Sequence, residues 1–124
     1  MKALIVDDSR AMRMIIGRTL KTLGFETTEA ANGREALDAI AAGKGPFEIA
    51  LVDWNMPVMD GFEFVCTARA NPANRDMRIM MVTTETEHTQ VARALEAGAS
   101  EYLMKPFPPE AIAEKLVILG LKVA

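Results

Sequence analysis

The sequence holds a single cysteine, Cys66, in 124 residues, so an internal disulfide is excluded and a reducing cytoplasm is allowed. Cys66 falls in a helix-like stretch with Phe62 and Val65, where the simplest reading is a small buried or half-buried side chain. There is also a single histidine, His88, with no cysteine near it, and it is read as solvated surface rather than as a metal ligand. No apolar run approaches the roughly 18 residues of a membrane span. The first run, Ala3-Leu4-Ile5-Val6, meets Asp7-Asp8 too soon to serve as a secretory signal. Positive charge is not in excess: the net charge of −3 argues against a nucleic-acid-binding face, which needs a basic surface. Linkers, low-complexity tracts and long charge runs are missing as well. What is left, 50% hydrophobic and 25% charged residues, is the composition of a globular chain long enough to bury a core. The expectation is one domain over residues 1–124, cytoplasmic, with neither a nucleic acid nor a membrane as partner.

Four short apolar runs stand out: Ala3-Leu4-Ile5-Val6, Ile49-Ala50-Leu51-Val52, Ile79-Met80-Met81-Val82 and Tyr102-Leu103-Met104. They are continuous rather than alternating, as strands of a parallel sheet covered on both faces should be. Phe25 to Ala30 alternates more and carries Glu26 and Glu29, which predicts an edge strand. The segments between are helical. Met12, Ile15, Ile16, Leu20 and Leu23 form an apolar face ended by Gly24. Asn32-Gly33 precedes Ala36, Leu37 and Ile40, with Gly43 and Gly45 closing that helix. Gly61 to Ala70 predicts a third, closed by Asn71-Pro72. Val91, Leu95 and Gly98 mark a fourth, and Ile112, Leu116 and Leu119 a fifth. Five strands alternating with five helices predict a doubly wound α/β domain, with strand order 2-1-3-4-5.

The residues that follow the buried strands carry the chemistry. Asp7 and Asp8 follow the first, Asp53 the third, Thr83 the fourth and Lys105 the fifth. In an open parallel sheet the ligand crevice lies beyond the carboxyl ends of the strands, so these residues are expected on one rim. Three carboxylates held together repel one another, and a hard divalent cation relieves that. Magnesium accepts one or two carboxylates plus phosphate oxygens while keeping several waters. Such an ion could bridge a carboxylate and an incoming phosphoryl group, with Lys105 and Thr83 on the remaining oxygens. Asp53 is then a nucleophile that forms an aspartyl phosphate.

Four motifs occur in order: Val6-Asp7-Asp8-Ser9, the run from Asp53-Trp54-Asn55-Met56-Pro57 to Asp60-Gly61, Val82-Thr83 and Lys105-Pro106-Phe107. Over essentially its whole length the chain resembles the response-regulator receiver domains, and most of all the stand-alone chemotaxis regulators among them. The resemblance implies that Asp8 and Asp53, with the backbone carbonyl of Asn55, ligate magnesium and that Asp7 helps through water. It implies that Asp53 takes a phosphoryl group from a histidine kinase or phosphotransfer protein, or from a small donor such as acetyl phosphate. Thr83 would swing toward the phosphoryl oxygens and Tyr102 would turn inward behind it. That would remodel a face made of helix 4, strand 5 and helix 5, where a downstream protein or a second copy of the chain would dock. The Lys105-Pro106 bond would be cis. Asn55 and Glu85 match the chemotaxis-type members and imply fairly quick self-dephosphorylation. Thr84 departs from the family, which usually has a smaller residue there, so the resemblance implies slower access by donor or water and carries over no phosphoryl lifetime.

Other readings fit less well. A haloacid-dehalogenase-type phosphatase needs a second Asp two residues after its nucleophile, where this chain has Asn55. A flavodoxin wants a Ser/Thr/Gly-rich phosphate loop after strand 1, where Asp7-Asp8 would repel phosphate. An unphosphorylated interaction module on the same fold would tend to lose the acidic pair, the acceptor or the lysine. The expectation is therefore a signalling domain that catalyses only its own phosphorylation and dephosphorylation, either acting alone or as the receiver part of a longer regulator. Val117, Ile118, Leu121 and Val123 fall partly outside the apolar stripe of helix 5, which predicts some exposed apolar surface there.

Overall fold

A computed structural model describes residues 1–84 and 90–123 of the chain. Glu85 and His88, both singled out above, lie outside the described residues. The chain alternates β1 (Lys2–Val6), α1 (Arg10–Thr22), β2 (Glu26–Ala30), α2 (Gly33–Ala41), β3 (Ile49–Asp53), α3 (Gly61–Ala70), β4 (Arg78–Thr83), α4 (Val91–Ala97), β5 (Glu101–Met104) and α5 (Pro109–Ile118). The strands form one parallel sheet in the order β2-β1-β3-β4-β5, as the spacing predicts. β3 is buried at every position, whereas the edge strand β2 keeps Glu26 and Glu29 in solvent.

The period of two along the strands splits the interior into two layers. Leu4, Val6, Ala50, Val52, Ile79 and Met81 face one side, where they meet Ala36, Phe64, Val65, Ala68 and Ala94 of α2, α3 and α4. Ala3, Ile5, Ile49, Leu51, Met80 and Val82 face the other, against Ile16 and Leu20 of α1 and Ile112 and Leu116 of α5. Local signals set the helix ends. The side chains of Ser9, Asn32 and Asp60 accept hydrogen bonds from the backbone N–H groups of Met12, Glu35 and Glu63, capping α1, α2 and α3. Gly98 closes α4 with φ of 120°, a conformation that favours glycine.

Several details differ from the sequence expectations. Ile15 is 54% exposed: the buried stripe of α1 runs through Ile16 and Leu20, flanked by Met12 and Leu23, and Ile15 lies about 100° around the helix from it. Cys66 is exposed rather than buried, because Gly61, Phe64, Val65 and Ala68 already form the inner face of α3. Leu95 is also largely exposed, and Val91 and Ala94 take the inner positions of α4. At the other end Leu121 is buried, since the chain turns back after α5 and packs on the α1/α5 layer. Val117 and Ile118 stay exposed as expected. The Lys105-Pro106 bond is cis, and so is Gly45-Pro46, for which the sequence carried no signal.

Candidate functional site

Strand register brings the site together. β1 and β3 pair up to Val6 opposite Val52, so the next residues on the two strands, Asp7 and Asp53, emerge side by side. Asp53 closes β3 opposite Val82, one residue before Thr83. Thr83 lies opposite Met104, and the Lys105 N–H continues that pairing by donating to the Thr83 carbonyl at 2.6 Å. Asp7, Asp53, Thr83 and Lys105 thus stand at one level on the carboxyl rim of the sheet.

Carboxylate oxygens of Asp7, Asp8 and Asp53 all lie within 4.8 Å of one another. Asp7 and Asp53 are buried and Asp8 is exposed. Two unit charges at that separation repel by about 3 kcal/mol at an effective dielectric of 20, before solvent screening at Asp8. The Lys105 ammonium offsets part of this, reaching Asp53 Oδ1 at 3.2 Å and Asp7 Oδ2 at 3.5 Å. Burial alone would lower the Lys105 pKa. The charges of Asp53 and then Asp7, with the hydrogen bond to Asp53, outweigh it and hold the pKa above the ordinary lysine value. The 3.5 Å contact to Asp7 is an ion pair rather than a well-formed hydrogen bond, and Oδ2 of Asp7 has no hydrogen-bond partner among the described residues. Thr83 Oγ1 is likewise buried without a partner among the described residues. A buried oxygen left unpaired is costly unless something else satisfies it. Clustered hard oxygen donors, one of them unsatisfied, fit a magnesium-type cation. Asn55 is exposed in the loop two residues beyond Asp53, and Thr84, half-buried, follows Thr83 just past β4.

The backbone around this cluster is tied down. The Asp7 N–H donates to the Ala30 carbonyl (3.0 Å), and Asp7 Oδ1 accepts from the Ser9 N–H (2.8 Å). The guanidinium of Arg13 donates to the Asp7 carbonyl (2.7 Å) and to Glu29 Oε1 on β2 (2.9 Å). On the β3 side the Gly61 N–H donates to the Trp54 carbonyl (2.9 Å), and a side chain at Gly61 would run into the Asp53 carbonyl. The Asp60/Glu63 capping box starts α3 at that point.

Residues 3–117 match the sequence profile of the Response regulator receiver domain. The chain belongs to the response regulator receiver domain family. It is 43% identical to the chemotaxis protein CheY1 of Helicobacter pylori over 97% of this chain and 98% of that protein. A CheY homolog of Campylobacter jejuni is 45% identical over 94% of this chain and 89% of its own length. Among solved structures, the chemotaxis response regulator CheY4 of Vibrio cholerae superposes with a TM-score of 0.85 at 41% identity, covering 95% of this chain and 97% of that one. The receiver fold and the two-component signalling class follow, in preference to a phosphatase or a flavodoxin.

Two further arrangements in this receiver reach away from the acidic cluster. Tyr102 on β5 is half-buried; the Lys115 ammonium sits 4.9 Å from its ring centroid and pairs with Glu101 Oε1 at 3.3 Å. The Trp54 ring, next to Asp53 in sequence, contacts Phe62 of α3 at 5.9 Å between centroids, and Arg93 of α4 stacks over Phe62 at 4.5 Å. The sequence pointed to Asp7, Asp8, Asp53, Asn55, Thr83, Tyr102 and Lys105 and carried Gly61 at the end of its second motif, but it did not single out Arg13 or Lys115. A signal existed for Arg13, a cation one turn into a helix that begins beside the acidic pair. None existed for Lys115, whose partners lie on a different element.

Proposed function

We propose that the chain is a single receiver domain over residues 1–124 whose phosphoryl acceptor is Asp53. The observation that carries this reading is the contact of the Asp53 carboxylate, at the carboxyl edge of the sheet, with the Lys105 ammonium at 3.2 Å, beside Asp7 and Asp8. One oxygen of Asp53 attacks phosphorus and forms a P–O bond. The P–N bond of a donor phosphohistidine breaks, and its imidazole leaves with the bonding electron pair. With acetyl phosphate the leaving group is acetate. The Lys105 ammonium, already oriented by Asp53 and Asp7, stays charged and holds a phosphoryl oxygen; the Thr83 hydroxyl, with no partner among the described residues, takes another. Asp8, Asp53 and the Asn55 carbonyl would hold magnesium, with Asp7 acting through water. The ion would supply neutralisation of the charge gathered between carboxylates and phosphoryl group.

The donor in the cytoplasm is a histidine kinase or phosphotransfer protein, and the domain catalyses only its own phosphorylation and dephosphorylation. The output face is α4–β5–α5. Half-buried Tyr102 gives it a side chain that can move inward, and exposed Leu95, Val117 and Ile118 give it apolar area for a protein partner or a second copy of the chain. The chemotaxis proteins among the relatives favour a chemotaxis-type partner. Incubation with magnesium and acetyl phosphate should add one acid-labile phosphoryl group per chain. Absence of uptake under conditions where the protein is folded overturns the reading.

A further inference from the structure

We propose that Arg13 is a positioning residue that aims the Asp7-Asp8 pair at the metal, an inference that rests on the function proposed above. Asp7 lies one residue past the end of β1, where its carbonyl has left the sheet ladder. Arg13 replaces the missing donor, at 2.7 Å. The peptide unit is planar, so holding the Asp7 oxygen also fixes the Asp8 nitrogen and Cα, and with them the direction of the Asp8 carboxylate. Asp8 needs such support because it is exposed, unlike Asp7 and Asp53. Arg13 is itself fixed from outside the site, by Glu29 of β2 at 2.9 Å, and its side chain is only 16% exposed. The planar fork of an arginine can meet the carbonyl and the carboxylate together, which a lysine cannot do with the same geometry. Ser9 N–H on Oδ1 and Ala30 O on the amide complete the hold on Asp7, leaving Oδ2 turned toward Lys105.

Charge and position make opposite predictions here, which gives the test its edge. A cation close to two carboxylates repels a second cation, so on charge alone its removal should tighten magnesium binding. Loss of positioning should weaken it, by about tenfold as for other residues that orient metal ligands. Magnesium titrations followed by Trp54 fluorescence should therefore give Arg13→Ala a Kd about tenfold higher than the parent. Arg13→Lys, which can still donate to the Asp7 carbonyl, should recover part of that loss. Glu29→Gln should lower the melting temperature while leaving the Kd within a few-fold of the parent. In metal-free protein the amide resonances of Asp8 and Ser9 should shift in Arg13→Ala. If that variant does not fold, Arg13→Gln carries the same measurements. Unchanged or tighter magnesium binding, with the metal-free resonances of Asp8 and Ser9 unmoved, overturns the proposal. A parent protein that ignores magnesium defeats the proposed function instead, and the metal-free resonances then decide whether Arg13 orients the pair.

Discussion

At the scale of single residues, Lys105 and Val58 carry the sharpest expectations. Lys105 meets two of the three clustered carboxylates, yet its proposed role is to hold phosphate rather than metal. Lys105→Ala should keep or tighten magnesium affinity, by calorimetric titration, because a cation that repels the metal is removed, while losing the phosphorylation-dependent change in partner binding; a selective loss of magnesium affinity contradicts the assignment. Its raised pKa fixes the sign of the pH dependence. A pKa raised by folding contributes stability that is present below the unfolded value, about 10.4, and is lost as pH climbs through the folded one. In metal-free protein the stability gap between parent and Lys105→Ala should stay level from neutral pH to about 9 and shrink above 10.4. Val58, five positions after Asp53, adopts φ of 69° at the centre of a tight turn in which the Met59 N–H donates to the Pro57 carbonyl at 2.7 Å. A β-branched residue is strained there, and Val58 is 80% exposed, so little packing offsets the strain. Val58→Gly should raise stability by about 1 kcal/mol in urea titrations, net of the greater chain entropy of glycine. Asp53 and Lys105 were legible because an acid or an ammonium directly after a buried strand has a predictable place. Val58 was not, because its backbone runs against its own preference and is set by the turn.

At the scale of elements, burial follows the helix period closely enough to separate core from face. Ile112 and Leu116 are fully buried on α5, whereas Ile118, two positions further, is 67% exposed. Leu116→Ala should cost about 2–5 kcal/mol and Ile118→Ala no more than about 0.5, both read from denaturant midpoints. Equal costs would mean that α5 packs on both sides. The α1 stripe was read one residue too wide at Ile15, since Ile15 and Ile16 are both apolar and composition does not say which turns inward. Cys66 was misplaced for a related reason: small and apolar, it resembles a core residue until Gly61, Phe64, Val65 and Ala68 are seen to fill the inner face. The boundaries of α3 were legible to the residue because Asp60 caps its start and Asn71-Pro72 ends it.

At the scale of the whole molecule, sheet order and rim were readable because continuously buried strands with helix-length connections admit few topologies. The contacts that tie the elements together were not, since Arg13 finds Glu29 sixteen residues away beside the acidic rim and Arg69 finds Gly98 twenty-nine away at the opposite edge of the sheet, separations with no local pattern. A metal bound only by the folded carboxylate cluster stabilises the entire domain, by about 2.7 kcal/mol at a hundredfold excess over Kd. Millimolar magnesium should therefore raise the melting temperature and alter the emission of buried Trp54. A beryllofluoride adduct should shift amide resonances around Tyr102 and in α4 and α5 as well as beside Asp53, with a coupling to partner binding of about 1–3 kcal/mol. Shifts confined to the acidic cluster, or centred on α1 and α2, would put the output on another face. Asp53 is the proposed carrier of the phosphoryl group, and its chemistry can be read directly. Borohydride reduces an aspartyl phosphate to homoserine, so treating the phosphorylated chain and mapping its peptides marks the acceptor. Homoserine should appear at position 53 and be absent after Asp53→Asn. Homoserine at position 7 or 8, or at no position in a chain that has taken up phosphate, would contradict that assignment.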